Sequence, residues 1–211
     1  MTTTHGPTGT AASPTAARRP PPVTGLRTGD DVAGQATIVT SSPARRALAV
    51  LRVTFGLTFL WAFLDKLLAL GYSTGVGEDG RLDRFGPAAW VNGGSPTEGF
   101  LKFGAAGPFK GLYNSIGGAA WADWLFMLGL LGIGAALTLG IGIRLAAAAG
   151  TLLYVLMWTV ALPPANNPVL DEHVLGAVSM VILGLTLAGD TWGLGRIWAR
   201  LPLVSQHPVL R

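Results

Sequence analysis

The sequence predicts an all-α integral membrane protein, an antiparallel bundle of four helices, and three observations indicate that fold class. Half of the 211 residues are hydrophobic and only 12% are charged, against roughly 25% charged residues in an ordinary soluble domain. Four apolar stretches approach the ~20 residues that a ~30 Å hydrocarbon core demands. Because backbone groups in lipid must be satisfied within their own segment, each stretch is predicted to be a helix.

The four predicted spans cover residues 46–70, 123–143, 145–162 and 168–189, within a membrane domain of residues 45–200. Spans two and three are joined only by the residues around Arg144, so they are predicted to pair tightly and antiparallel. A long outer loop, residues 71–120, joins the first two spans. Small residues at helical spacing indicate close helix packing: Gly132, Ala136 and Gly140 in span two, and Ala146 and Gly150 in span three.

The segments outside the spans set the predicted orientation. Five prolines fall among the first 22 residues, so residues 1–44 are predicted to be a disordered tail, and residues 201–211 a C-terminal tail. Arginines lie before span one, between spans two and three, and after span four. The positive-inside rule then places both termini in the cytoplasm, in a multi-pass protein of the cell membrane. Arginines that flank apolar spans do not indicate a nucleic-acid partner.

The absence of cysteine excludes several kinds of chemistry. Disulfide exchange, thiolate nucleophiles, iron–sulfur ligation and cysteine-held zinc all require a residue that the chain lacks. His5 and His207 fall in the predicted tails, away from His173, so a paired-histidine haem site is not expected. The sequence shows no haem, flavin, iron–sulfur or metal motif.

Ionisable residues collect at the predicted outer ends of the spans. Asp65 and Lys66 close span one, Asp123 opens span two, and Asp171 and His173 open span four. Such groups inside or beside a membrane are commonly functional. The spacing of Thr54, Thr58, Trp61 and Asp65 puts them on one helical face, predicted to point away from lipid, and Tyr154 and Trp158 form an aromatic pair on span three. Arg52 and Arg144 are predicted to snorkel to the opposite interface.

Each of these features also has a structural interpretation. Asn167 followed by Pro168 is typical of a helix N-cap, with Asp171 and Glu172 in the first turn. His173 would then lie about 7–8 Å into the helix, as a hydrogen-bonding or a functional residue. Since positions i and i+2 point apart on a helix, Asp171 and His173 do not predict a metal site.

The outer loop carries one amphipathic stretch, EGFLKFGAAGPFKGLY, at residues 98–113. It is predicted to lie half-buried on the outer leaflet, with Lys102 and Lys110 toward the headgroups. A lid over the helix ends and a packing cap are both compatible with this pattern.

Five stretches of the sequence carry a resemblance to a known family. They are FLWAFLDKL (59–67), AWVNGGSPTEGFL (89–101), WADWLFMLGLLGIGAAL (121–137), LPPANNPVLDEH (162–173) and GLGRIW (193–198). In this order they resemble the DoxX/DoxD superfamily, particularly its DoxD-like branch, over about residues 45–200. The position of NNPVLDEH before the last helix is the most specific part of the resemblance.

The resemblance implies a membrane protein similar to the large subunit of thiosulfate:quinone oxidoreductase, which oxidises thiosulfate to tetrathionate and passes electrons to membrane quinone. Quinone is then the expected electron acceptor, and a small DoxA-like subunit or a soluble redox protein the expected partner. The lipid bilayer is the expected surrounding medium. A homodimer is a further possible assembly. The alternative is a non-catalytic membrane scaffold that recruits soluble redox or sulfur-transfer enzymes.

On this interpretation the site lies at the outer helix ends. The expected catalytic residues are Asp171, His173 and Asp65, with Asp171 and His173 handling protons at the quinone carbonyls. The expected substrate-binding residues surround them: Lys66, Trp61, Tyr154, Trp158, Asn166, Asn167 and Asp123. The apolar slot would come from the aromatic side chains, and the lysines would attract the thiosulfate dianion.

Overall fold

Each of the four predicted apolar spans contains an α-helix, although the fourth is helical over only part of its predicted length. The computed structural model describes residues 1–4, 6, 34–77, 79–165 and 167–211, and the chain divides into two units, Met1–Asp31 and Val32–Arg211. Within the described residues of the second unit the regular elements are all helical, with an isolated antiparallel bridge between Val76 and Leu82. Most of the predicted disordered tail, residues 5 and 7–33, lies outside the described residues.

Four of the described α-helices have 14 residues or more, and the others have seven or fewer. The α-helices are α1 (Gln35–Ile38), α2 (Ser42–Leu68), α3 (Lys110–Ile116), α4 (Ala120–Leu139), α5 (Ile143–Val160), α6 (Glu172–Leu185), α7 (Gly195–Trp198) and α8 (Pro202–Gln206). Turns of 3-10 helix occur at Trp90–Asn92, Gly107–Phe109, Ala188–Asp190 and Pro208–Leu210, and a π-helical stretch at Gly99–Gly104.

Three of these helices, α2, α4 and α5, are long and apolar enough to cross a membrane. The predicted fourth span, residues 168–189, is represented by the shorter α6, which has 14 residues. At 1.5 Å per residue α6 is only about 21 Å long. The helix is about four residues shorter than predicted at each end. At its start Asp171 rather than Asn167 caps it: the Asp171 side chain accepts from the backbone N–H groups of His173 and Val174.

Glycines mark where the long helices approach each other and show that they run antiparallel. On α2 and α4, Gly56 lies against Thr138 while Gly134 lies against Leu60. On α5 and α6, Gly150 lies against Met180 and Gly184 against Ala147. In both pairs one number rises as the other falls, so the helices are antiparallel. The core between them contains Phe59, Met127, Leu130, Ile133, Leu137, Met180 and Leu183.

The predicted stripe of small residues on α4 packs closely at Gly140, where an added Cβ would lie 2.8 Å from Gly189 O, but not at Gly132. A Cβ added at Gly132 meets nothing within 4 Å, whereas at Gly134 it would lie 2.8 Å from Leu60 Cγ and 2.9 Å from Leu60 N. Spacing alone identified a glycine-rich helix, but the contact face depends on how α4 is rotated against α2.

We expect alanine at these two glycines to change stability in opposite directions. Gly134→Ala should lower the free energy of unfolding by about 1–3 kcal/mol, because the backbone of Leu60 must move away. Gly132→Ala should raise it by about 0.5–1 kcal/mol, because alanine is the better helix former and the space is open. Thermal unfolding of the two variants in detergent measures the difference, and equal effects would contradict the assigned contact face.

The prediction that Arg52 snorkels to the interface was wrong. Its side chain is completely buried and donates to backbone carbonyl groups on two segments: Leu137 and Thr138 at the end of α4, and Ala188, Thr191 and Trp192 after α6. The guanidinium group thereby satisfies carbonyls that a helix end leaves without an intrahelical partner. We call this end of the helices, where α2 begins, the terminal end.

The segments predicted as tails contribute to the terminal end. The backbone N–H of Gln35, at the start of α1, donates to Asp190 Oδ2 (2.8 Å), and Arg211 Nη2 lies 3.0 Å from the same oxygen. Arg144 N donates to Arg211 O (2.7 Å). The predicted disorder therefore extends too far, since residues 34–44 are folded. The partner of Gln35 is 155 positions away, and local composition does not indicate such a contact.

Candidate functional site

The opposite end of the helices, from which residues 69–119 and 161–171 extend, is here called the loop end. It holds the ionisable residues that the sequence placed together: Asp65, Lys66, Asp123, Asp171 and His173. Their hydrogen bonds divide them into three separate local networks, one at the end of α2, one at the start of α4 and one at the start of α6. The three networks have different chemical capacities.

The network at the end of α2 anchors the following loop. Asp65 is almost fully buried, and its carboxylate accepts from Tyr72 N (3.1 Å), Ser73 N (2.9 Å) and Ser73 Oγ (2.7 Å). Lys66 Nζ contacts the same hydroxyl at 2.9 Å. A carboxylate that holds three donors is committed to its loop. We therefore leave Asp65 out of the proposed reaction and keep Lys66 as a cation at this end.

At the start of α4, too, a buried carboxylate accepts hydrogen bonds from the long loop. Asp123 is buried in the first turn of α4, and its Oδ1 accepts from Ser95 Oγ (2.8 Å), Thr97 N (3.1 Å) and Thr97 Oγ1 (2.5 Å). Beside it, Trp124 packs edge-on against Trp90, with ring centroids 4.7 Å apart. Asp123 thus ties the middle of the long loop to α4, a role that its position in the sequence did not indicate.

Removing this carboxylate should release the loop. We expect Asp123→Ala to lower the free energy of unfolding by about 1–3 kcal/mol, because the donors on buried Thr97 and half-buried Ser95 lose their acceptor. Limited proteolysis should cut the variant faster near residues 95–97. Glu98→Gln is the control, since among the described residues the Glu98 side chain bonds to Lys102 in an exposed ion pair, and such pairs contribute about 0–1 kcal/mol. Equal sensitivity of the two variants would argue against the anchoring role.

The predicted polar stripe on the first span points outward over most of its length. Thr54, Thr58 and Trp61 are exposed, and Thr58 Oγ1 bonds back to Thr54 O at 2.9 Å. Trp61 packs edge-on against Tyr72, with centroids 5.0 Å apart. The prediction that this stripe points away from lipid was therefore wrong for the residues that precede Asp65. A threonine hydroxyl that bonds to its own helix can face an apolar medium at little cost.

The third network contains Asp171 and His173. The His173 Nδ1 lies 2.8 Å from Asp171 Oδ2, and the side chains are only 14% and 10% exposed. The prediction that positions i and i+2 point apart was wrong here, because Asp171 is the extended N-cap residue and turns its carboxylate back over the first turn of α6. His173 accordingly lies in that first turn, not 7–8 Å into the helix.

This pair has the geometry of an oriented base. Burial acts to raise the pKa of the Asp171 carboxyl, but hydrogen bonds from the His173 ring and from the backbone N–H groups of Val174 and His173 hold that pKa below its usual value. The ionised carboxylate keeps a proton on Nδ1 of His173, so Nε2 is the basic nitrogen of the neutral ring. Among the described residues, nothing forms a hydrogen bond with this Nε2.

Tyr154 forms the apolar wall beside His173. Its ring packs edge-on against His173 (centroids 6.4 Å apart) and against Phe55 and Phe59 of α2 (6.1 and 5.6 Å). Gly176 makes room for it, because a Cβ there would lie 2.6 Å from the Tyr154 ring. Helices α2, α5 and α6 therefore meet at Tyr154, which the sequence had assigned to substrate binding without indicating these neighbours.

The remaining predicted site residues lie in or beside the connection between α5 and α6. Trp158 Nε1 donates to Val169 O at 2.9 Å. Asn167 Oδ1 accepts from Val169 N and Leu170 N, both at 2.9 Å, so it stabilises a turn in the connection. Asn166 lies outside the described residues. These contacts hold the connection against the end of α5, next to the Asp171 and His173 pair.

Asp171, Glu172 and His173 also bring one potential ligand atom each within 4.8 Å of one another. The Asp171 carboxylate is already bonded to the ring and to the start of α6, and Glu172 is exposed. These contacts favour an oriented imidazole over a metal centre.

No family model, curated protein or solved structure matches the chain.

Proposed function

We propose that this chain is the membrane subunit of a quinone-linked oxidoreductase, in which His173 and Asp171 handle the proton at a quinone carbonyl. The observation that carries this proposal is the hydrogen-bonded pair at the start of α6, with its basic nitrogen unpartnered among the described residues. A quinone needs apolar walls around its ring and a proton donor or acceptor at its oxygens. Tyr154 packs against His173, and Phe55 and Phe59 pack against the other side of this apolar contact, on the Tyr154 ring.

The proposed membrane arrangement is a four-helix antiparallel bundle with both termini in the cytoplasm. Three long apolar helices support it directly, and α6 packs antiparallel to α5 as the fourth. Although α6 is only about 21 Å long, bilayer thinning accommodates a short helix at modest cost. Arg45, Arg46 and Arg144 lie at the terminal end, which the positive-inside rule assigns to the cytoplasm. The loop end then faces outward.

The proposed reaction balances with thiosulfate as the electron donor. Two thiosulfate ions join through a new sulfur–sulfur bond to form tetrathionate and release two electrons. The quinone takes up those two electrons and two protons to form the quinol. His173 supplies or relays a proton through Nε2, and the Asp171 carboxylate stabilises the imidazolium form. Lys66 is a cation at the loop end for attracting the dianion.

The first experiment measures thiosulfate-dependent reduction of a short-chain quinone by membranes that contain this chain. Membranes from cells without the chain serve as the control, and binding of the same quinone to the purified protein is measured in parallel. Turnover and binding are the expected results. Binding without turnover would retain the quinone site and assign the thiosulfate chemistry to a DoxA-like or other partner. If folded protein neither binds nor reduces quinone, the proposal fails and the scaffold alternative is preferred.

A further inference from the structure

We infer that part of the long loop is a lipid-contacting element, which presses an apolar surface into the membrane interface beside α5. The element is residues 99–116, named here the 99–116 segment. It comprises the π-helical stretch Gly99–Gly104, the 3-10 turn Gly107–Phe109 and α3. Its expected partner is the acyl and headgroup boundary of a bilayer. This lipid contact rests on the membrane spans and is independent of any quinone chemistry.

One side of the 99–116 segment is fixed to the last turn of α5. Ala105 and Tyr113 are buried with Val160 in a small apolar cluster, and Ala106 N donates to Val160 O at 3.0 Å. The Tyr113 hydroxyl lies 2.5 Å from Thr159 Oγ1 and 3.4 Å from Leu156 O. At Gly107 the backbone passes so close that a Cβ would lie 2.3 Å from Leu162 O.

These contacts set the depth of the segment. Residues 156–160 form the final turn of α5, which is one of the candidate membrane spans, and they cover about 6 Å along its axis. Because Tyr113 reaches back to Leu156 and Thr159, the segment lies level with the end of the span rather than far beyond it. At that level the surroundings of an outward-facing side chain are the interfacial region of the bilayer.

The other side of the segment is apolar and exposed. Phe103 is 84% exposed, Leu112 61% and Phe109 43%. Each has a buried or half-buried neighbour within four residues, so the segment has a packed side and an exposed side. The outward face of α5 at the same level, including Val155 and Leu156, is exposed as well. Lipid that covers α5 would therefore also reach the outward side of the segment. Exposed Lys110 beside Phe109 suits a position at the headgroups.

The cysteine-free chain allows a direct measurement of this contact. Single cysteines introduced as Phe103→Cys, Phe109→Cys and Leu112→Cys are labelled with a nitroxide, and the full chain is reconstituted in vesicles of equal parts phosphatidylcholine and phosphatidylglycerol. Spin-label collision rates with oxygen, which concentrates in lipid, and with a water-soluble nickel chelate then report the surroundings of each position. Leu128→Cys, on the exposed face of α4, is the lipid control, and Asp79→Cys, in an exposed turn, is the water control.

We expect the ratio of oxygen to nickel collisions at residues 103, 109 and 112 to exceed that at residue 79 several-fold and to approach that at residue 128. A ratio equal to that at residue 79 would place the segment in water and overturn the inference. Low collision rates with both reagents would mean that protein, such as a second copy of the chain, covers the segment, and would also overturn it. Each labelled protein must match the unlabelled chain in size-exclusion elution and in thermal unfolding. If one variant does not fold, the result at the other two positions decides.

Discussion

Replacing Arg52 with methionine should lower the free energy of unfolding by about 3–5 kcal/mol, the largest stability effect that we expect from a single side chain. Methionine fills most of the same volume, so the loss would come from hydrogen bonding rather than from a cavity. The guanidinium group donates to Leu137 and Thr138 at the end of α4, and to Ala188, Thr191 and Trp192 beyond α6. Without it, buried carbonyl groups on two separate segments lose their donor.

Two further substitutions separate this explanation from loss of charge. Arg52→Lys keeps the charge but carries three donors in a compact group instead of the five of a guanidinium fork, so its loss should be intermediate. Arg46→Met removes an exposed arginine six residues earlier in α2 and should change stability by less than about 0.5 kcal/mol. Thermal unfolding in detergent gives the three values. A similar loss in Arg46→Met would indicate that net charge, not carbonyl binding, matters.

Replacing His173 with alanine should reduce quinone-dependent turnover by about 10²–10⁴-fold, the usual contribution of a positioned acid or base. The fold should survive, because the helix cap is made by the Asp171 side chain and the backbone N–H groups of residues 173 and 174, which the substitution leaves in place. The rate of quinone reduction is compared at saturating quinone, so that a change in binding does not obscure a change in turnover.

The matched histidine control lies at the opposite end of the molecule. His207 is exposed, and the hydrogen bond of its ring lies within its own segment, with Nδ1 3.1 Å from Leu203 O. His207→Ala should therefore leave the rate unchanged. Asp171→Asn should lower turnover as His173→Ala does, because a neutral amide stabilises the imidazolium form less well than a carboxylate. Turnover that survives both changes at the pair would remove His173 and Asp171 from the reaction.

The helices were predictable because their cause is local. Long apolar runs must form helices in lipid, and the predicted spans at 46–70, 123–143 and 145–162 correspond to α2, α4 and α5 within a few residues at each end. The start of α6 was harder to predict from the sequence. Asn167 with Pro168 and Asp171 are both good caps by residue type, and the choice between them depends on how the connection packs against Trp158.

The polar residues at the loop end were identified by type but not by role. The sequence showed that Asp65, Asp123 and Asp171 lie at helix ends. It could not show that the first two hold loop backbone while the third orients a histidine, since those partners are set by the path of the loops. Asp190 and Gln35 illustrate the same limit at the terminal end, where the interacting groups are 155 positions apart.

The sequence by itself determined the helical class, the apolar segments and which residue types lie near their ends, because hydrophobicity and backbone satisfaction act over a few turns of chain. Only the tertiary structure decided which face of α4 meets α2, that Arg52 is buried among carbonyl groups, and that Asp171 turns back onto His173. These features depend on helix rotation and loop path, which arise from contacts between residues far apart in the chain. The proposed site also depends on the tertiary structure. Its proposed basic nitrogen, Nε2 of His173, is defined by the contact of Nδ1 with Asp171 and by the lack of a hydrogen-bond partner for Nε2 among the described residues.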